Sequence, residues 1–336
     1  MQKKWLWVLV GIIVFLSIGG FLQQPEIVPI VKKIPVPQSQ PQLETRNVNN
    51  TLLVNGDQLF AHVQKLNFRR YSKRERSLTR TYITNELRKF GWQPKLEKFP
   101  NGVNIFTQKL GTDKTAGAIL VAAHYDTVPD SPGADDNATG IAVVLEIARL
   151  FSSVPTPKTL QLAFFDQEET GLLGSKAFVN QPTHLENLQG VIIMDMLGYA
   201  CYIPGCQQYP AGLPVTPPSD KGDFLAVVGD LENLQLLNAF QNSSENLPKI
   251  LKVPIPFKGL LTPDTLRSDH APFWYQGIGA VLVTDTANLR SPHYHQPSDI
   301  PENIQRDFFT GSSQIIVNAT SSLLAEKSVK KSPPAS

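Results

Sequence analysis

The sequence predicts an α/β protein, a largely parallel sheet with helices packed against it. Three observations carry that prediction. Short runs rich in apolar residues, Ala118 to Ala123, Thr159 to Phe165, Val191 to Met194 and Ala280 to Thr284, read as strands buried on both faces. Segments of helical period follow several of them, as in the pattern Ile141, Val144, Leu145, Ala148 and Leu150 that begins near Ala138. The first run stops at His124, and in such a fold the crevice beyond the carboxyl ends of the strands is where ligands bind.

With 336 residues, 41 % hydrophobic and 18 % charged, the chain can bury a sizeable core. Net charge is +2, and much of the basicity sits in the terminal segments, so the body is slightly acidic. That balance excludes an electrostatic case for nucleic acid. There is no internal repeat and no signal for an oligomeric state.

Taken in order, Lys3-Lys4 precede an uncharged run, Trp5 to Leu22. As a helix it would span about 27 Å at ~1.5 Å per residue, against a hydrocarbon core of ~30 Å. We read residues 1–22 as a membrane anchor rather than a cleaved signal peptide, because no Ala-x-Ala site follows Gly19-Gly20. The body is then extracytoplasmic, or secreted if the segment is cleaved. Residues 23–50 are a Pro-rich spacer, 51–326 the globular domain and 327–336 a basic disordered tail. Within the domain, Leu59, Val63 and Leu66 suggest a short helix. Arg74 to Phe90 predicts an amphipathic one with Leu78, Tyr82, Ile83, Leu87 and Phe90 inward. Residues 95–99 and 103–108 alternate as a hairpin around Pro100-Asn-Gly. Helices are expected over 172–179, 231–241 and 304–325, and a strand over 224–228. The Gly- and Pro-rich stretch 198–223 is a long ordered excursion. It carries Cys201 and Cys206, which read as a local disulfide, since a zinc ribbon would need two further ligands nearby.

Three of the strands end on groups able to bind metal: His124, the pair Glu168-Glu169, and Asp195. Asp136 sits in the first loop and His295 in a later one. Singly, each has a plainer reading as a helix cap or a solvated face. Together they converge on one edge of one sheet, where unpartnered charges would repel. Oxygen-rich donors with a few imidazoles suit Zn²⁺. His293, two residues before His295, could face the same site. His62 and His184 read as surface residues.

The motifs His124-Tyr-Asp126-Thr, Gly133-Ala-Asp-Asp136-Asn-Ala-Thr-Gly140, Glu168-Glu169-Thr-Gly-Leu-Leu-Gly-Ser175, Met194-Asp195-Met196, Ser268-Asp-His-Ala-Pro-Phe273 and Pro292-His-Tyr-His295-Gln-Pro-Ser-Asp299 resemble those of the M28 zinc metallopeptidases. That family includes bacterial aminopeptidases, with glutaminyl cyclases as relatives. The resemblance implies a three-layer α/β/α fold with a central mixed, mostly parallel twisted sheet. It implies two Zn²⁺ per chain bridged by Asp136, with His124 and Asp195 completing one site and Glu169 and His295 the other. Glu168 would be the general base, Asp126 would orient the His124 imidazole, and Tyr294 would hydrogen-bond the tetrahedral oxyanion. The peptide bond after Asp136 would be cis. Asp269 and His270 receive no role beyond packing or support.

The function so implied is removal of N-terminal residues from a peptide or small aminoacyl substrate. Phe164-Phe165-Asp166-Gln-Glu-Glu gives some support to a one-zinc glutaminyl cyclase instead, although the loop 133–140 follows the peptidase form. A non-catalytic receptor or scaffold would be expected to have lost ligands, and none is missing.

Overall fold

The structure is a computed structural model that describes residues 52–217 and 219–326. The apolar run, the spacer and the basic tail lie outside the described residues. Among the described residues, no helix is long and apolar enough to cross a membrane.

Eight strands form one sheet: β1 (Lys95–Phe99), β2 (Gly102–Lys109), β3 (Ala118–His124), β4 (Thr159–Phe165), β5 (Leu188–Met194), β6 (Phe224–Asp230), β7 (Lys249–Ile255) and β8 (Ala280–Thr284). Their order is β1-β2-β4-β3-β5-β8-β6-β7. The middle, β4-β3-β5-β8, is parallel throughout. Both flanks join antiparallel, through β2 to β4 and through β6 to β8. The sheet is therefore mixed, with a parallel centre.

Alternate residues of the central strands enter two separate cores, as the two-residue strand period requires. Ile119, Val121, Leu162 and Ile192 share one core with α1 (Gly56–Lys65), α2 (Lys73–Lys89), α3 (Gly140–Leu150), α6 (Leu234–Ala239) and α8 (Arg306–Ala325). Leu120, Ala122, Ala163 and Ile193 face the other, with Phe178 of α4 (Leu173–Val179) and Phe273 of α7 (Ala271–Tyr275). A one-turn helix, α5 (Pro182–Leu185), follows α4. Three layers result.

Several local expectations change. Leu78 is 58 % exposed, while Arg76 and Thr79 are buried. The face of α2 is set by Asp166, whose carboxylate meets Arg76 Nε at 2.8 Å and Arg80 Nη1 at 3.5 Å. A buried carboxylate needs such partners, and rotating the helix to bury Leu78 would remove them. His184 is buried, stacked 4.0 Å from the Phe178 ring with Nε2 3.1 Å from Glu97. His62 is half-buried with Nδ1 2.7 Å from the Tyr82 hydroxyl. Strand β7 had no counterpart in the sequence reading, because Lys249, Lys252 and Pro254 interrupt its apolar pattern; such residues suit an edge strand. Helix α3 starts at Gly140 rather than Ala138, because Ala134–Thr139 form a separate wide turn.

Candidate metal centre

His124 is the last residue of β3, Asp195 follows β5 directly, and Glu168-Glu169 lie three residues beyond β4. These three strands are parallel neighbours, so their carboxyl ends put the side chains together. Asp136 comes from the wide turn after β3, and His295 from the loop before α8. The peptide bond between Asp136 and Asn137 is cis.

The Asp136 carboxylate divides between two histidines: Oδ1 is 3.3 Å from His124 Nε2, and Oδ2 is 3.2 Å from His295 Nε2. Asp195 Oδ1 stands 3.5 Å from His124 Nε2, and Glu169 Oε2 3.1 Å from His295 Nε2. Donor atoms of His124, Glu168 and Asp195 lie within 4.8 Å of one another, as do those of Asp136, Glu169 and His295. Asp136 Oδ1, Glu169 Oε1 and His295 Nε2 are buried without a hydrogen-bond partner. Close approach without hydrogen-bond alignment, among donors that suit zinc, is what a bound cation would satisfy. Each of these two groups among the described residues could hold a metal ion.

The electrostatics agree. Burial pushes Glu169 up to about 7 and Glu168 well above the usual carboxylate range. Burial lowers His295, but hydrogen bonds and charge from Asp136 and Glu169 outweigh it and carry it to about 10. His124 rises in the same way, against its burial, beside Glu168, Asp126, Asp136 and Asp195. Protons thus compensate the crowded acids, a role that cations would take over.

The cluster is held from behind. The Asp126 carboxylate accepts the backbone N–H of Glu168 at 3.0 Å and of Glu169 at 3.2 Å. Its Oδ1 is 3.6 Å from His124 Nδ1, longer than a hydrogen bond. Asp126 thus holds the 168–169 backbone and lies beside the imidazole. Asn137 Nδ2 donates to the Met194 carbonyl at 2.8 Å, and its Oδ1 accepts from Gly140 N and Met196 N, tying the wide turn to the end of β5. Asp299 accepts the backbone N–H of Asp135 at 2.8 Å and of Asp136 at 3.0 Å.

Arg70, fully buried, donates to six carbonyls: Tyr125, Leu66, Phe68, Pro132, Gly133 and Asp136. Gly133 has φ +64, and a Cβ there would come within 2.2 Å of the Asp136 carbonyl and 2.6 Å of Arg70 Nη2. Only glycine leaves room for that approach.

The other candidates separate. His295 lines the cavity, whereas His293 Nδ1 meets Ser298 Oγ at 2.9 Å. The Tyr294 ring stacks on the His295 ring at 3.7 Å. His270 is buried with Nε2 2.7 Å from the Thr265 carbonyl, and burial lowers it to about 4, so it is neutral. Asp269 accepts from the Ser175 hydroxyl. Cys201 and Cys206 are disulfide-bonded. Sequence reasoning gave no role to Arg70, Asn137 or Asp299. Asn137 and Asp299 lay within the quoted motifs; Arg70 carried no signal beyond being an arginine.

A cavity of about 560 Å³ opens over the cluster. Its far side is apolar, with Val228 of β6, Leu251 and Val253 of β7, Leu282 of β8, and Leu213 and Leu266 from loops.

An α/β sheet with clustered histidine and carboxylate donors at its carboxyl edge is an arrangement suited to metal-assisted hydrolysis. Residues 104–320 match the profile of Peptidase family M28, and the chain belongs to that family. It is 29 % identical over 234 residues to the aminopeptidase YwaD of Bacillus subtilis, covering 67 % of this chain and 46 % of that protein. The chain spans about half the length of the curated relatives it matches. Among solved structures, BSAP, a zinc aminopeptidase from Bacillus subtilis, superposes with a TM-score of 0.52 at 26 % identity, covering 69 % of this chain and 53 % of that one. The LapA aminopeptidase of Legionella pneumophila superposes with a TM-score of 0.64 at 18 % identity, covering 82 % and 73 %, a likeness of fold.

Proposed function

We propose that the chain is an aminopeptidase that works with two Zn²⁺ per chain. The observation that carries this reading is the Asp136 carboxylate, one oxygen toward each histidine of two donor sets. His124, Asp195 and Asp136 would hold one ion, and Glu169, His295 and Asp136 the other. Zinc bound there would supply Lewis-acid polarisation of the scissile carbonyl and a lowered pKa for the attacking water. Glu168, buried and free of side-chain hydrogen bonds among the described residues, would act as the general base, taking a proton from the attacking water and returning it to the leaving amine. The Tyr294 phenol, raised above its ordinary value by burial, stays protonated as a donor to the tetrahedral oxygen. The carboxylate-rich side receives the substrate's N-terminal ammonium, and the apolar floor favours an apolar side chain. Sequence relatives named as aminopeptidases support this reading.

Zinc analysis of the detergent-solubilised full chain should give two ions, with release of a free amino acid from an aminoacyl chromogenic amide. Asp136→Asn should lower the content of both ions. One zinc together with cyclisation of an N-terminal glutamine would establish the cyclase instead. Absence of zinc and turnover would leave a scaffold.

We further propose that the apolar run 5–22 anchors an extracytoplasmic domain, a reading that the disulfide supports. In cell fractions the protein should stay in alkali-washed membranes and be degraded by protease added from outside. Recovery in the soluble cytoplasm would refute the anchor.

A further inference from the structure

Two cations line the cavity and are left unused by the proposed chemistry: Lys176, whose Nζ donates to the Gly171 carbonyl at 2.9 Å, and Arg267, whose guanidinium alone offers a planar fork. Arg267 lines the mouth, exposed, and donates from Nη1 to Asn288 Oδ1 at 2.9 Å and from Nη2 to the Tyr294 hydroxyl at 3.1 Å. Two of the five N–H donors of its guanidinium are thereby used. Among the described residues it forms no ion pair, although Asp264 lies on the same rim. Other arginines near this end of the sheet are committed. Arg70 is bound to carbonyls, Arg76 and Arg80 to Asp166, and Arg290 to Gln207 and the carbonyls of Tyr199 and Phe224.

The cavity therefore offers both acids and a guanidinium with free donors. Glu168, Glu169 and Asp195 line it beside the donor sets, and the Arg267 guanidinium lines it without an ion pair, reached from His295 through Tyr294. Tyr294 measures the gap, because its ring rests on His295 and its hydroxyl accepts from Arg267. One tyrosine ring is comparable to one or two extended residues at ~3.3–3.6 Å each.

We propose that Arg267 is a specificity-determining residue that binds the C-terminal carboxylate of a short peptide. The inference rests on the aminopeptidase reading and names its substrate class. A dipeptide or tripeptide is a zwitterion whose ammonium meets the acids while its carboxylate, one or two residues past the scissile bond, meets the guanidinium. A planar guanidinium pairs with carboxylate through two parallel hydrogen bonds. Asn288 and Tyr294 already hold the group, which reduces the ordering cost of that contact. A longer chain, or an amide, offers a neutral group at the same point.

The test compares leucyl-alanine with leucyl-alanine amide on the zinc-loaded full chain. Wild-type protein should favour the free acid by about 10–100-fold in kcat/KM, the range expected for a charge-assisted hydrogen-bonded pair, with most of the difference in KM. Arg267→Met should bring the ratio close to one, and Arg267→Lys should restore part of it. Tyr294→Phe should lower kcat on both substrates while keeping the ratio, which separates carboxylate binding from mere support of the tyrosine. Equal wild-type values for acid and amide, or an unchanged ratio in Arg267→Met, would overturn the proposal. Calorimetric binding of the same two compounds to Glu168→Gln provides a readout independent of turnover. Tighter binding of the acid without any wild-type hydrolysis would refute the aminopeptidase reading and keep the carboxylate site. Equal binding would remove the carboxylate site.

Discussion

Glu168→Gln should keep both zinc ions and lower kcat by about 10²–10⁴-fold, the usual contribution of a positioned proton shuttle. The substitution is nearly isosteric. The backbone at 168 and 169 is held by the Asp126 carboxylate, so the side chain can change without moving its neighbours. Burial raises the Glu168 carboxyl, which favours its holding the proton until the leaving amine takes it. Because Glu168 lies within 4.8 Å of the donors of His124 and Asp195, distance alone would also admit it as a ligand. Zinc content measured beside kcat distinguishes the two. Loss of an ion would make Glu168 a ligand, and near-normal turnover would end its role as the base.

Arg70→Met should destabilise the protein by about 3–5 kcal/mol, read as a lower urea midpoint at an unchanged slope. The loss would come from main-chain carbonyls left unpaired in a buried place. Carbonyls of Tyr125, Pro132, Gly133 and Asp136 all belong to the stretch that carries His124 to Asp136. Arg70→Lys should recover little, because an ammonium has three donors and no planar fork. Burial lowers the guanidinium to about 10, still charged at neutral pH. A loss below about 1 kcal/mol, the net worth of a single ordinary hydrogen bond, would show that these carbonyls find other partners.

What could be read in the sequence follows from which groups leave a side-chain signature. His124, Glu168-Glu169 and Asp195 were visible because strand ends are marked by the change from apolar to ionisable residues. Asp136 and His295 needed motif order, since neither stands at a strand end. Arg70 was invisible because its partners are backbone carbonyls, which every residue possesses. Asp299 binds backbone amides and escaped for the same reason. Leu78 and His184 misled in opposite directions. The Arg76–Asp166 pair set the rotation of α2 against hydrophobic period, and aromatic stacking on Phe178 made a buried place for an imidazole. β7 was missed because its lysines and proline suppress the apolar pattern that marks a strand.

The apolar floor of the cavity comes mainly from β6, β7 and β8, whereas the donor sets stand at the ends of β3, β4 and β5 and in the loops around them and before α8. Two parts of the protein can therefore change on separate evolutionary schedules. Exchange of Val228, Leu251 or Leu282 for a smaller or larger neighbour reshapes the space offered to a substrate side chain. The hydrogen bonds that position the donors come from Arg70, Asp126, Asn137 and Asp299, on other parts of the chain. A lineage could then wander among substrates through neutral drift on one wall while purifying selection holds the other still. In such a fold a new diet requires no new chemistry.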